Sequence, residues 1–467
     1  MQTAEFRGFL FPISDAGLAA EQKAIAELEK CMKREKKRFS RLKTAPTPTA
    51  FKQRAHDFLA SPACRFAALF RQASALHEAN RLPLTIYQSL IPAFSPMHPI
   101  IEDVVYWDEP KSNGGTRRIH DFGPMNRAAQ HMVMRVISAC FKPKPYQYSV
   151  AGRGVHTAIQ RARAAVDAGY VHIKKLDVRD FFGSFSRDGL YELLPLPKAV
   201  IDNVVMPDNL KLKHVKGDKK AGKAKTATTG KVLTTDISPL PSQPVLPQGS
   251  LHAPMLAEFV VSNLSIDGKS DVVIIIFVDD ILIMAKTEHA LAAATYALRS
   301  AYGASPAGDF HFKVSEETLF TGTDFLGYRL KHWPGGKLSA HPSADNIAVF
   351  KAKHKQHTTS ITKIAKHSSA NLTSLKKAIA DYYIFMRSWI AAFSAANGYD
   401  EMAVEAQSRL VKMCRKHDVS VASVKQLANA HFAHSTTKVK TKGGYQLSVT
   451  INEPDPLLSA TGAKKSA

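Results

Sequence analysis

Cysteine is scarce in this sequence: Cys31, Cys64, Cys140 and Cys414 are scattered along 467 residues, with no C-x-x-C pair. That excludes a disulfide-stapled scaffold and a cysteine-built zinc finger, and it suits a reducing cytosol. Long apolar runs are missing as well. The longest, Val272 to Val278, has a strand's length and falls far short of the roughly 18 residues of a membrane span. The N-terminus, MQTAEFRGFLFPISD, has no basic segment feeding a continuous apolar stretch, so no secretory leader is expected. Acid is in short supply: 40 Asp and Glu face 63 Lys and Arg, a net +23. With 45% hydrophobic and 22% charged residues, what remains is a globular, basic chain long enough for two to four structural units. For such a protein nucleic acid is the default partner.

The positive charge is unevenly placed. Residues 1–95 carry a net +7, residues 207–233 a net +6 and residues 331–467 a net +12, leaving −2 for the rest. A single lysine run is most simply a solvated face. The contrast between regions instead predicts anion-binding surface around a carboxylate-bearing centre. Periodicity divides the chain in the same way. Ala19–Leu42 reads as a charged helix closed by the breaker at Ala45–Ala50, and a second helical stretch covers Phe51–Asn80. Strands are expected at Val104–Trp107, Thr116–Phe122 and His172–Val178, and helices at Met125–Cys140 and Val155–Ala168. Lys211–Asp236 has no apolar period and reads as a mobile insertion. Asp271–Met284 has the pattern of a hairpin with two acids at its turn, and another hairpin fits around Gly443–Gly444. No internal repeat is present. The implied divisions are a basic helical region at 1–95, a mixed region at 96–330 with an insertion at about 207–240, a helical region at 331–435 and a basic tail at 436–467.

The first chemical candidate is the acidic pair in IIIFVDDILIMA. Alone it is weak, because 24 Asp in this length produce about one adjacent pair by chance. Its setting is more telling. Asp279 and Asp280 lie between VVIIIFV and ILIM, where two ionised carboxylates cost repulsion and desolvation that a structural turn has no reason to bear. A divalent cation relieves both, and oxygen-only ligands favour magnesium or manganese. A two-metal site needs a further carboxylate. In KKLDVRDFFGSF, Asp177 ends the expected strand and Asp180 competes with it. Positions one and four of a strand face opposite ways, so only one of the two can join the pair. The aromatics Phe181 and Phe182, close behind, favour Asp177.

LDVRDFF, LPQGSLHAP (Leu246–Pro254), FVDD (Phe277–Asp280) and FLGY (Phe325–Tyr328) follow one another in the order of the reverse transcriptase palm motifs. Upstream, GGTRRIHDFGPMN (Gly114–Asn126) is similar to the family's finger hairpin. YSVAGRGVHTAI (Tyr148–Ile159) is similar to the segment before the first catalytic Asp in bacterial members. Over residues 98–350 the chain thus resembles a bacterial reverse transcriptase, and six blocks in order are far more specific than any one of them. The resemblance implies an α+β right-hand polymerase of fingers, palm and thumb, with an N-terminal helical region and a mainly helical C-terminal thumb. It implies two Mg²⁺ ions, or Mn²⁺, held by Asp177, Asp279 and Asp280 with Val178 in the metal set. Phe182 falls where the family places a bulky aromatic beside the sugar C2′, which rejects a 2′-hydroxyl. Gln248 and Gly249 would let backbone approach nucleotide and template. Arg117, or Arg118 if the register slips by one, would grip the triphosphate.

Three positions depart from the pattern. Phe277 lacks the phenolic hydroxyl often found there, Ala253 replaces a Ser, and Glu317–Thr318 stand where Lys-Thr is common, with Lys313 nearby but out of register. The resemblance makes Phe325, Leu326 and Gly327 a primer-grip hairpin, and it opens the thumb at His341–His357 with Lys351 and Lys353 on backbone phosphates. His354 and His357 have metal spacing but no companion ligands, and Tyr382, Tyr383, Phe385 and Trp389 read as thumb core. The implied partners are a structured RNA template of the dedicated non-coding kind, a DNA product and dNTPs, in the cytoplasm and without a membrane; a homo-oligomer or a partner protein is compatible with this. Retron, diversity-generating and phage-defence enzymes are the lineages at hand, the last preferred. Two readings of another class are a maturase-like RNA-binding protein, opposed by the intact aspartates, and an RNA-dependent RNA polymerase, opposed by Phe182.

Overall fold

The computed structural model describes residues 2–110, 115–215, 245–266, 270–315, 317–366 and 372–437. They fall into two units. One comprises Met1–Pro145, Val178–Ile266 and Leu298–Phe312, and the other Tyr146–Asp177, Asp267–Ala297 and Lys313–Ala467. Mainly antiparallel sheets and separate helix clusters make the class α+β. No helix among the described residues is long and apolar enough to cross a membrane.

The first unit opens with a hairpin that periodicity did not predict. Thr3–Phe6 pairs with Phe9–Pro12 through Arg7 and Gly8, both at positive φ, and its rings Phe6 and Phe11 pack against Phe70. The helix Gly17–Lys43 buries Ala24, Leu28, Cys31, Glu35, Phe39 and Leu42, a line at three- and four-residue spacing. The single helical stretch expected at Phe51–Asn80 is instead two helices, Pro48–Ala60 and Pro62–Ala75, and a 3-10 turn at Glu78–Asn80. Pro62 has no N–H to continue the first helix, and Ser61 caps the second by accepting a hydrogen bond from the Cys64 N–H at 3.4 Å. Glu35, 2% exposed, ties three helices together through Arg71 at 2.9 Å and Arg135 at 3.3 Å.

In the same unit the strand Asp103–Pro110 pairs antiparallel with Thr116–Phe122 and parallel with Lys211–His214. Lys211–His214, the start of the segment expected to be a mobile insertion, is therefore a strand. Two of its lysines are used locally: Lys211 and Lys213 bond the Asp103 carboxylate and hold it below the usual carboxylate range. The rest of that segment, 216–244, and the hairpin expected near Gly443 lie outside the described residues.

The second unit is built on a sheet in the order Val272–Phe277, Asp280–Ala285, His172–Val178, Phe312–Val314. Its aliphatic face, Ile275, Leu282 and Met284, meets Ala158, Ile159 and Ala162 of the helix Val155–Asp167. A smaller sheet, Thr323–Phe325, Tyr328–Lys331 and Ser339–Pro342, joins the same core. The helices Ala344–Lys366, Leu372–Ala392, Tyr399–Lys416 and Val421–Thr437 enclose a second core around Ile379, Tyr382, Tyr383, Met386 and Leu410.

Candidate active site

The strands His172–Val178 and Asp280–Ala285 run antiparallel with Asp177 directly opposite Asp280. Opposed residues share a face, with Cβ atoms about 4.5–5.5 Å apart. Asp280 also pairs with Phe277 in the adjoining hairpin, which leaves Val278 and Asp279 as its two-residue turn. Three acids predicted from separate motifs are thus gathered at one end of one sheet. Val278 sits at φ +59°, a left-handed conformation that a β-branched residue adopts at a cost of about 1–3 kcal/mol. The flanking Ile275, Ile276, Ile281 and Leu282, all fully buried, hold the hairpin in this geometry. Val278→Gly should accordingly leave the melting temperature unchanged or raised while slowing catalysis several-fold, because Asp279 then rides on a softer turn. A lowered melting temperature would show that the turn is not strained.

Asp180, the competing acid, is exposed in a left-handed turn beyond the strand, where its carbonyl accepts from the Gly183 N–H at 2.8 Å. Asp177 is therefore the partner of the pair. Lys313 Nζ lies 3.8 Å from Asp177 Oδ2, so this lysine reaches that acid although its sequence register argued against it. Burial pushes the Asp280 carboxyl up to about 6; Lys175 opposes the shift, and the carboxylates of Asp279 and Asp177 add to it. Lys175 was not foreseen, yet its place two residues before Asp177 on one strand was a readable signal. No three His, Cys, Asp or Glu side chains among the described residues form a ready-made metal cage. The donors nonetheless suit a hard divalent cation, being carboxylate oxygens whose negative charge is under-neutralised. The Val178 side chain carries no donor atom, so only its carbonyl could serve as a ligand.

The residues expected at the nucleotide lie in the first unit. Arg117 is exposed on the strand Thr116–Phe122 with no ion pair among the described residues. Arg118 is engaged by Asp108 at 3.3 Å and lies over the Tyr106 ring at 4.5 Å, which leaves Arg117 as the available guanidinium. The same strand positions the Gln248–Gly249 turn: the His120 N–H donates to the Gln248 carbonyl at 2.8 Å. Gly249 has φ +101°, and a Cβ there would stand 2.2 Å from the His120 carbonyl oxygen. Phe182 is half-exposed and rests on Phe181 at 5.6 Å, which is itself buried against Phe185 and Phe310.

In FLGY, Leu326 and Gly327 form a two-residue turn with both φ positive, and the Asn346 side chain donates to the Gly327 carbonyl at 3.1 Å. The nucleic-acid contact expected of Phe325 is corrected here. Its ring is 1% exposed and serves the core, so the turn alone is presented. Lys351 and Lys353 are exposed on the helix Ala344–Lys366. His354 is engaged by the Tyr382 hydroxyl at 2.9 Å and His357 stacks on Phe385, so both serve helix packing.

Residues 109–330 match the family model described as reverse transcriptase (RNA-dependent DNA polymerase). No curated protein matches the chain. Among solved structures, telomerase from Candida albicans, in complex with a fragment of telomeric RNA, is similar at 11% identity and TM-score 0.35, over 74% of this chain and 64% of that one. A Sicinivirus RNA-dependent RNA polymerase is similar at 13% identity and TM-score 0.33, over 68% and 64%. Apo telomerase from Candida tropicalis is similar at 9% identity and TM-score 0.36, over 89% and 87%. The chain spans less than two thirds of the length of the first two. Over residues 109–330 the chain carries a reverse transcriptase domain, the domain of RNA-dependent DNA polymerases.

Proposed function

We propose that this protein is a bacterial RNA-directed DNA polymerase that copies a structured RNA into DNA by two-metal nucleotidyl transfer, in the cytoplasm and in defence against phage. The observation that carries the catalytic part is Asp177 set opposite Asp280, beside Asp279 in a strained turn, within a reverse transcriptase domain. Asp177, Asp279 and Asp280, with the Val178 carbonyl, would hold two Mg²⁺ or Mn²⁺ ions. When bound, such ions make a primer 3′-hydroxyl more acidic and offset charge on the leaving pyrophosphate. Arg117 grips the triphosphate through its planar fork, and the Gln248–Gly249 backbone lies against the nucleotide. Lys313, beside Asp177, is the cation available to the polyphosphate in place of the family's usual lysine. The Leu326–Gly327 turn and the helix bearing Lys351 and Lys353 act as primer grip and thumb on backbone phosphate. The defence assignment rests on motif variants: the Tyr148–Ile159 segment leans towards diversity-generating and related enzymes, and SLHAP leans away from the former. A diversity-generating or retron enzyme is the second reading.

Extension of a primed RNA template with Mg²⁺ and either dNTPs or NTPs tests the activity. Failure of the wild-type chain to incorporate dNTPs would sink it, and a preference for NTPs would favour an RNA polymerase. Phe182→Ala should raise NTP use relative to dNTP use by about 10- to 100-fold, since a steric gate is worth only a few kcal/mol. An unchanged ratio would remove Phe182 from that role. Sequencing the nucleic acid that copurifies with the protein identifies template and product.

A further inference from the structure

The helix Gly17–Lys43 ends in the run KCMKREKKRFSRLK, and the structure shows what becomes of its one acid. Glu35 is turned inward and consumed by Arg71 and Arg135. Arg34 is matched by Glu27 at 3.5 Å, two turns earlier. Beyond that point Lys33, Lys36, Lys37, Arg38, Arg41 and Lys43 are all exposed, and among the described residues none has a carboxylate within ion-pair reach. Ordinary solvated helices alternate their charges and gain from opposite pairs at i,i+4; here Lys33, Lys37 and Arg41 are like charges at that spacing and oppose the helix. They form one ladder with steps of about 6 Å, opposite the buried line of Leu28, Cys31, Glu35, Phe39 and Leu42. Arg54 adds another cation at this end, its guanidinium donating to the Arg41 carbonyl at 2.5 Å. Such a surface is stable because the inner face packs, and a regularly spaced polyanion relieves its repulsion.

We infer that the outer face of this helix is a sequence-independent binding surface for a phosphodiester backbone, and specifically for the folded part of the RNA that the enzyme copies. The inference rests on the reverse transcriptase reading for the identity of the RNA. It does not use any residue placed in the candidate active site. Phosphate contacts of this kind position a nucleic acid without reading its bases, and each contributes to the salt dependence of binding.

The test uses the full chain with Lys33→Gln, Lys37→Gln and Arg41→Gln combined, beside a charge-matched control on another helix, Lys412→Gln, Arg415→Gln and Lys416→Gln, all exposed positions. Binding of a labelled RNA hairpin is measured without nucleotides from about 50 to 200 mM salt. The triple variant should bind about 10- to 100-fold more weakly at low salt, and its log–log salt slope should fall by about 2 to 3 relative to wild type. The control should stay within about threefold, as expected for loss of net charge alone. Melting temperature and extension on a short primer–template should be unchanged in the triple variant. Equal binding by wild type, triple variant and control would overturn the proposal, as would an equal loss in triple variant and control. Capture by phosphatidylserine vesicles in place of RNA would overturn it in favour of a membrane surface. A DNA duplex in a parallel arm separates a general backbone site, if bound equally, from one that prefers the RNA. dNTP incorporation by the wild type is recorded separately, so its absence would sink the reverse transcriptase reading without affecting the binding comparison.

Discussion

The double substitution Asp279→Ala with Asp280→Ala will reduce dNTP incorporation on a primed RNA template by at least about 10³-fold, the equivalent of roughly 4 kcal/mol of transition-state stabilisation. The loss follows from removing two of the three carboxylates gathered at the end of the Asp177 sheet. The fold should not suffer. In the metal-free chain burial chiefly, with repulsion from Asp279 and Asp177 added, makes Asp280 hold its proton to about 6, and deleting the pair removes both penalties. The variant should therefore melt no lower than wild type. Full incorporation by the variant would refute the catalytic assignment. A lower melting temperature would instead mean that the acids are structural.

Gly249→Ala should be the most damaging single change on the nucleotide side. Its Cβ would meet the His120 carbonyl at 2.2 Å, and the backbone at φ +101° has no comfortable place for an L side chain. Strain and overpacking together suggest a loss of about 2–4 kcal/mol. The clash cannot be avoided by rotating a side chain, because the neighbour is the backbone of the Arg117 strand. The turn and that strand must separate, and with them Gln248 and Arg117. A thermal melt combined with dNTP titration should show a fall in melting temperature and a raised KM. Arg117→Ala, exposed and unpaired among the described residues, should raise KM with little change in the melt. If Gly249→Ala melted like wild type, the close approach to His120 would be wrong.

Much of the site was legible because its parts are local. The FVDD hairpin, the aromatic pair after Asp177 and the FLGY turn each declare themselves within a few residues, through flanking apolar runs, adjacent rings or a glycine where φ is positive. The misses share a cause. Pro62 was visible, but the apolar spacing continued through it, and only the Ser61 cap shows that the chain restarts a helix there. Lys211–His214 carries no strand signal; it becomes a strand because Asp103–Pro110 offers a parallel edge and Asp103 binds its lysines. Phe325 belongs to a motif associated with nucleic acid, yet its ring fills the core beneath the turn. Lys313 was set aside on register and returns through the sheet, in which its strand adjoins that of Asp177.

Scarce cysteine, the shortage of acid and the short apolar runs determined a basic globular chain, and the ordered motifs gave it a reverse transcriptase's pattern. Those properties need only residue identity and spacing. The tertiary structure alone decided that Asp177 rather than Asp180 faces Asp280, that Arg117 rather than Arg118 is available, and that Glu35 leaves the surface of its helix to hold Arg71 and Arg135. Each of these choices depends on strand register or burial, which are set by segments far apart in the chain and leave no local trace.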